Sequence, residues 1–314
     1  MRDLRIVFMG TPDFAVAILD RILEDGHQVV GVITAPDKPA GRGRKLNESA
    51  VKKYAKSKGL HLLQPTNLKH PDFLSELESL HANVQVVVAF RMLPKVVWSL
   101  PEFGTFNLHA SLLPDYRGAA PIHWAIINGE EKTGVTTFFI DEKIDTGAMI
   151  LKKEVEIGDD ETVGQLHDRL MHLGARAVSE TLTQIQKGDV TTIQQPEQET
   201  KSAPKLNPEN CRVNWNAPLD SIYNHIRGLN PFPAAWSEIK NGDEIISAKI
   251  YAIRKQEAEH QEQIGSITTS KKEIKVAVNG GYIFIDELKL SGKRKMDAVS
   301  LLNGFSFLPD ANMR

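Results

Sequence analysis

Met1–Thr34 reads MRDLRIVFMGTPDFAVAILDRILEDGHQVVGVIT, and this stretch decides the fold. Leu4–Met9 is a compact apolar run of the kind that forms a buried strand. Gly10 ends it, and Thr11 is placed to cap a helix with Pro12 at its first position. Apolar residues then recur at Ala15, Ile18, Leu19, Ile22 and Leu23, which is one face of a helix. Gly26 closes that helix, and Val29–Thr34 is the next strand. A strand–helix–strand unit predicts a parallel, twisted sheet and an α/β class. The turn Gly10-Thr11-Pro12 is not the GxGxxG fingerprint, and the acidic partner of a dinucleotide is absent, so a nicotinamide cofactor is disfavoured.

Working outward, Val84–Phe90 (VQVVVAF) is a β-branched run that suits a central strand buried on both faces. His61–Gln64 and Gly104–His109 read as further strands. Glu48–Lys58, Pro71–Leu80, Pro94–Leu100 and Pro121–Asn128 read as helices. Gly134–Ile140 and Ala148–Ile157 read as two strands around a turn, and Glu161–Gln186 as a long amphipathic helix. Gly188–Asn207 has no apolar periodicity and reads as a linker. Beyond it the pattern is β-rich. Asn241-Gly242 and Asn279-Gly280 are hairpin signals between alternating runs such as Ile274–Val278 and Tyr282–Leu290, which predicts a small barrel or sandwich. The expected limits are a first domain over 1–187, a linker over 188–207 and a β domain over 208–314.

The chain has 314 residues, 41% hydrophobic and 25% charged, which is an ordinary globular mixture. No apolar run approaches the ~20 residues needed to span a bilayer. The N-terminal run reads as a first strand rather than a signal peptide. The single cysteine, Cys211, excludes an internal disulfide and cysteine-rich zinc sites, and fits a reducing cytosol. A net charge of −2 excludes a general polyanion binder. Locally, however, Pro36–Leu46 (PDKPAGRGRKL) sets Lys38, Arg42, Arg44 and Lys45 against Asp37 alone.

Chemistry concentrates in Asn107–Gly147. On a strand ending at His109, Asn107 and His109 share one face, near the carboxyl edge where open α/β sheets bind ligands. A carboxamide and an imidazole side by side form a cradle for an oxygen that gains negative charge. A carboxylate in the following turn can orient the imidazole or take a proton through water; Asp141, Glu142 and Asp145 compete for that role. No serine or cysteine sits on a nucleophile elbow, and nothing resembles a metal cage. Direct attack of an amine on a carbonyl needs neither. His123 reads as lining or helix face rather than catalyst, and His167 and His172 do not share a helix face.

The same segment reads NLHASLLPDYRGAAPIHWAIINGEEKTGVTTFFIDEKIDTG. Asn107–His109, Ser111–Pro114, Tyr116–Gly118, Ala120-Pro121, Thr133–Thr136 and Asp145–Gly147 resemble the signature of the folate-dependent formyltransferases. Phe8–Ala15, Lys38–Leu46, Leu229–Trp236 and Gly292–Met296 are similar to the members that formylate charged tRNA, so the resemblance runs almost end to end. It implies a Rossmann-like domain with a mostly parallel sheet and an OB-like C-terminal barrel. It also implies 10-formyl-tetrahydrofolate as donor, methionyl initiator tRNA as acceptor, no metal, and a cytoplasmic, monomeric protein without membrane contact. Residue by residue, it implies Asn107, His109 and Asp145 as the catalytic trio. Ser111, Leu112, Leu113 and Pro114, with the backbone of Val88, Ala89, Phe90, Arg91 and Leu93, match the folate-binding segments. Many relatives carry Tyr-Gly where this chain has Phe90-Arg91. Lys38, Arg42, Arg44 and Lys45 match the tRNA loop, and Lys293, Arg294 and Lys295 the RNA face of the barrel. The alternatives are a sister enzyme acting on a sugar-nucleotide amine and a non-catalytic RNA-binding protein.

Overall fold

β1 (Arg5–Gly10), α1 (Asp13–Glu24) and β2 (Gln28–Ile33) form the expected unit, with β1 and β2 paired in parallel. In the computed structural model, which describes residues 1–40, 45–196 and 201–314, α1 begins one residue later than its spacing suggests. Pro12 takes the cap position and no side chain caps the helix. Phe14, Ala15, Ile18, Leu19 and Ile22 are buried, which is the face that the apolar spacing selects.

The chain continues through the short strands β3 (Lys38–Ala40) and β4 (Lys45–Asn47), then α2 (Ala50–Ser57), β5 (Leu62–Leu63), α3 (Pro71–Ser79), β6 (Val84–Val88), α4 (Lys95–Trp98) and β7 (Thr105–His109). Next come β8 (Arg117–Gly118), α5 (Pro121–Ile127), β9 (Lys132–Phe139), β10 (Met149–Glu156), α6 (Val163–Lys187) and β11 (Ser202–Ala203). The principal sheet has the order β10-β9-β7-β6-β1-β2-β5. β1, β2, β5, β6 and β7 pair in parallel, and β9 runs antiparallel to β7. Successive strands step one way from β1 to β5 and the other way from β6 onward. The topological switch therefore lies between β1 and β6, where such sheets open a crevice at their carboxyl ends.

By its contacts the chain forms two compact units. The first holds Met1–Gly118, Gly134–Val155 and Asp168–Ser202; the second holds Ala119–Thr133, Glu156–His167 and Ala203–Arg314. In the second unit α7 (Leu219–Arg227) precedes β12 (Ala235–Asn241), β13 (Glu244–Ile250), β14 (Ile253–Glu257), β15 (Ile267–Thr269), β16 (Ile274–Val278), β17 (Gly281–Ile285), β18 (Glu287–Leu290), β19 (Met296–Asp297), α8 (Ala298–Leu302) and β20 (Asn312–Met313). These strands make antiparallel sheets ordered β19-β18-β13-β12-β20 and β14-β17-β16-β15. Both hairpin signals hold: Gly242 and Gly280 take left-handed φ values of 62° and 91° at the turns. The run Tyr282–Leu290 is not one strand. It breaks at Asp286, and β17 and β18 join different sheets while facing the core with Ile283, Ile285, Leu288 and Leu290.

Burial holds the His225 imidazole of α7 below its ordinary range, only partly offset by the Cys211 backbone, and its Nε2 atom has no hydrogen-bond partner among the described residues. The unfolded chain titrates that ring near pH 6.5, so below that pH the unfolded state binds more protons than the folded one. Stability is thus expected to fall as pH drops below about 6.5. Thermal melts at about pH 7.5 and about pH 5.5 check this, and His225→Phe should shrink the difference between them.

Candidate active site

Three strand ends converge on the crevice of the first unit. Gly10 closes β1, and a Cβ there would lie 2.6 Å from Ala15 Cβ and 3.1 Å from the Val88 carbonyl oxygen. Only glycine lets β1 end so close to β6. Beyond Val88, Ala89 turns the chain with φ 47°, and the segment to Leu93 leaves the sheet with Ala89, Arg91 and Met92 exposed and Leu93 buried. The Arg91 guanidinium donates to the Thr66 carbonyl at 2.9 Å and to that of Pro65. Phe90-Arg91 therefore pins this segment to the neighbouring loop through a side chain that glycine lacks.

β7 delivers Asn107 and His109. Phe106 and Leu108, on the opposite face, are buried in the unit. Asn107 is half-buried, and among the described residues its carboxamide has no hydrogen-bond partner. His109 is 6% exposed, and its Nε2 lies 2.8 Å from the Tyr116 carbonyl oxygen. A carbonyl only accepts, so Nε2 carries the hydrogen and Nδ1 faces the Asp145 carboxylate at 3.8 Å. That distance is an ion-pair separation, beyond a hydrogen bond. The Asp145 Oδ2 atom accepts from the Gly118 N–H at 3.1 Å. Orientation of the ring thus comes from the Tyr116 carbonyl, and Asp145 acts on it by charge rather than by a direct hydrogen bond. The competing carboxylates are engaged elsewhere: Asp141 accepts from Lys143 N and Thr146 Oγ1, and Glu142 pairs with Lys95 at 2.7 Å.

The motif's small and polar residues shape this arrangement. Asp145 itself has φ 56° and Tyr116 φ 62°, left-handed values that side-chain-bearing residues rarely adopt. A Cβ at Gly147 would sit 1.6 Å from the Phe139 carbonyl oxygen, and one at Gly134 would sit 2.0 Å from that of Lys153. Thr136 Oγ1 accepts from Leu113 N at 3.1 Å and donates to Ser111 O at 2.7 Å, while Ser111 Oγ donates to Asp115 O at 2.7 Å. Ser111 and Leu113 are fully buried, with Leu113 packed on Phe138 and Met149. Their side chains brace the loop.

Other expected residues lie outside this cluster. Arg42 and Arg44 fall outside the described residues, as do the side chains of Lys38 and Lys45. Asp37, the one acid in that basic stretch, is bound by Lys52 Nζ at 2.5 Å and by Gln64 Nε2 at 2.9 Å, and these bonds hold its carboxyl below the usual range. In the second unit Lys295 pairs with Glu287 at 2.8 Å, whereas Lys293 lies over the Phe305 ring at 5.4 Å and Arg294 is exposed. His123 donates from Nε2 to the Phe232 carbonyl, 3.2 Å away, and burial lowers its imidazole. Sequence reasoning quoted Arg117 within the Tyr116–Gly118 motif but gave it no role, and it missed the Tyr116 carbonyl and Gln195. The first is a backbone atom, and Gln195 lies in the supposed linker with no local pattern to mark it.

A half-buried amide, an oriented imidazole and a carboxylate thus lie together at the carboxyl edge of the doubly wound sheet, an arrangement suited to group transfer. Residues 4–182 match the formyl transferase family model, and residues 205–306 match that of the formyl transferase C-terminal domain. The chain is 58% identical to the methionyl-tRNA formyltransferase of Flavobacterium johnsoniae over 314 residues, 100% of both chains. It is 52% identical to the protein of the same name from Parabacteroides distasonis over 311 residues, 96% of both. Among solved structures, WlaRD, a sugar 3N-formyl transferase in the presence of dTDP and 5-N-formyl-THF, superposes with a TM-score of 0.65 at 20% identity, over 94% of this chain and 100% of that one. HypX from Aquifex aeolicus in complex with tetrahydrofolic acid gives a TM-score of 0.65 at 18% identity, over 96% of this chain and 47% of that one. The chain belongs to the formyl transferase family.

Proposed function

We infer that this chain transfers the formyl group of 10-formyl-tetrahydrofolate to the free amino group of methionyl initiator tRNA, the step that readies that tRNA for translation initiation. What carries this reading is an Asn107 carboxamide with no partner among the described residues, in a chain that matches relatives of that activity over its whole length. A carboxamide held in this way fits the oxygen of a formyl group, which gains charge when an amine adds to its carbon.

The folate supplies an activated formyl group, and the acceptor supplies a neutral amine, a form well populated near neutrality for an α-amine of pKa about 7.7–8.0. Asn107 donates to the oxygen as charge develops on it. His109, its Nε2–H engaged by Tyr116, offers Nδ1 on the side of Asp145 and can carry a proton there. Asp145 stabilises the positive charge that gathers on the ring, the bond between the formyl carbon and the folate nitrogen breaks as the new amide bond forms, and the proton taken from the amine leaves on that nitrogen. The backbone of Val88, Ala89, Phe90, Arg91 and Leu93 lines the folate side at the switch point, with the Ser111–Pro114 loop as a braced wall. Lys38, Arg42, Arg44 and Lys45 follow the tRNA backbone, and Lys293 and Arg294 serve the second unit's RNA face, with Lys295 shared with Glu287. The catalytic part spans 1–187, the connecting segment 188–207 and the tRNA-binding part 208–314. The protein acts as a cytoplasmic monomer, where charged tRNA is made; among the described residues no helix is long and apolar enough to cross a membrane.

Transfer of labelled formyl from 10-formyl-tetrahydrofolate to charged initiator tRNA tests the reading. Charged elongator tRNA, uncharged tRNA and a sugar-nucleotide amine serve as competing acceptors. Labelling of the sugar amine in preference to the tRNA would overturn the acceptor assignment. In the same assay Arg42→Ala is expected to raise the KM for tRNA and to flatten its salt dependence by about 0.7–0.9 in log–log slope for each phosphate no longer neutralised. Unchanged tRNA kinetics in this variant would remove the loop from the tRNA site.

A further inference from the structure

We propose that Gln195, in the segment between the two family domains, is a positioning residue for the Asp145 carboxylate; this rests on the formyl-transfer reading of the site. Its Nε2 donates to the Asp145 carbonyl at 3.0 Å and to the Gly147 carbonyl at 2.8 Å, which uses both amide hydrogens. Its Oε1 accepts from Arg117 Nη2 at 2.7 Å and from Arg117 Nε at 3.2 Å. The amide has only one tolerable orientation. Turned over, it would face two carbonyl oxygens with an oxygen and a guanidinium with an NH₂ group.

These bonds close a circuit around the carboxylate. Gly118, next to Arg117, donates its N–H to Asp145 Oδ2, and Asp145 in turn stands 3.8 Å from His109 Nδ1. Asp145 holds a left-handed φ of 56°, a conformation that persists only where its surroundings fix it. Gln195 grips the carbonyl of that strained residue and the one two residues further along the same turn. Its own place is set from two residues away: Ile193 N–H and C=O bond to Met149 at 2.9 and 2.8 Å, which docks this segment beside β10. Arg117, 8% exposed, also donates to the Pro196 carbonyl at 3.2 Å. The segment acts as a strap that fixes the direction of the carboxylate toward His109.

Two variants of the full-length chain test this. Gln195→Ala removes the grip. Gln195→Glu keeps the length and the Arg117 contact but puts a carboxylate against the two carbonyls, and it carries the test should the alanine variant fold poorly. Both are expected to lower kcat by about 10²-fold, the scale of a displaced catalytic group, with the KM values for folate and tRNA within about twofold. The pH profile of kcat and the NMR titration of His109 in histidine-labelled protein should both move. Unchanged kcat overturns the proposal. So does a loss confined to KM, or a fall in kcat with the pH profile and the His109 titration unmoved, since a merely structural role leaves both in place. A wild-type chain that transfers no formyl group would instead remove the underlying reading, and the His109 titration still decides whether Gln195 positions the carboxylate.

Discussion

Asn107→Ala is expected to lower kcat for formyl transfer by about 10²–10³-fold, the scale of one oxyanion donor, with the KM for the folate donor within about twofold. The carboxamide makes no other bond among the described residues, so its removal costs the fold little and the transition state much. A group that binds ground and transition states alike would change KM instead. His109→Ala should fall as far in kcat, with more loss of stability, because it also vacates a buried site and removes the His109 hydrogen bond to the Tyr116 carbonyl. Steady-state kinetics of each variant, with folate and tRNA varied in turn, separates these outcomes. Near-normal kcat in Asn107→Ala would remove it from the reaction.

The second large effect is expected at Gly147. A Cβ would lie 1.6 Å from the Phe139 carbonyl oxygen and 2.8 Å from its carbon, so backbone rather than a flexible side chain must give way. Phe139 N–H bonds to the Ala148 carbonyl at 3.0 Å, which ties the Asp145–Gly147 turn to the end of β9. Moving that turn displaces Asp145 from His109 and breaks the bond from Gln195 to the Gly147 carbonyl. Gly147→Ala should therefore destabilise the chain by roughly 1–3 kcal/mol or more, the range of overpacking, and reduce kcat by at least about 10²-fold. Gly304→Ala, where a Cβ would meet nothing within 4 Å, is the control and should be close to neutral. Thermal melts and kcat measured on both variants decide it; equal melting temperatures would show that the Gly147 turn has room.

Much of this site is legible in the chain itself. Strand alternation puts Asn107 and His109 on one face because neighbouring Cβ atoms point to opposite sides of a sheet, and the structure keeps Phe106 and Leu108 on the buried side. The N-terminal strand–helix–strand pattern is local, and it survives with shifts of a residue or two at its ends. The choice of Asp145 over Asp141 and Glu142 was not legible from spacing, which allows all three. It follows from Thr146 and Lys95, which occupy the competitors, and from a left-handed backbone that turns Asp145 inward.

The signature that marks Asn107–Gly147 as a formyl-transfer segment is thus a property of the sequence, as are the periods of its strands and helices, because both depend on residues close together in the chain. Four things belong to the tertiary structure alone. They are the Tyr116 carbonyl that fixes the His109 tautomer, the buried bracing roles of Ser111 and Leu113, the break of Tyr282–Leu290 into two sheets, and the reach of Gln195 back to Asp145. The partners of Gln195 stand 48 to 78 positions away. No periodicity spans such distances, and only the folded sheet, which sets where β7 and β9 end, brings those atoms within a hydrogen bond of one another.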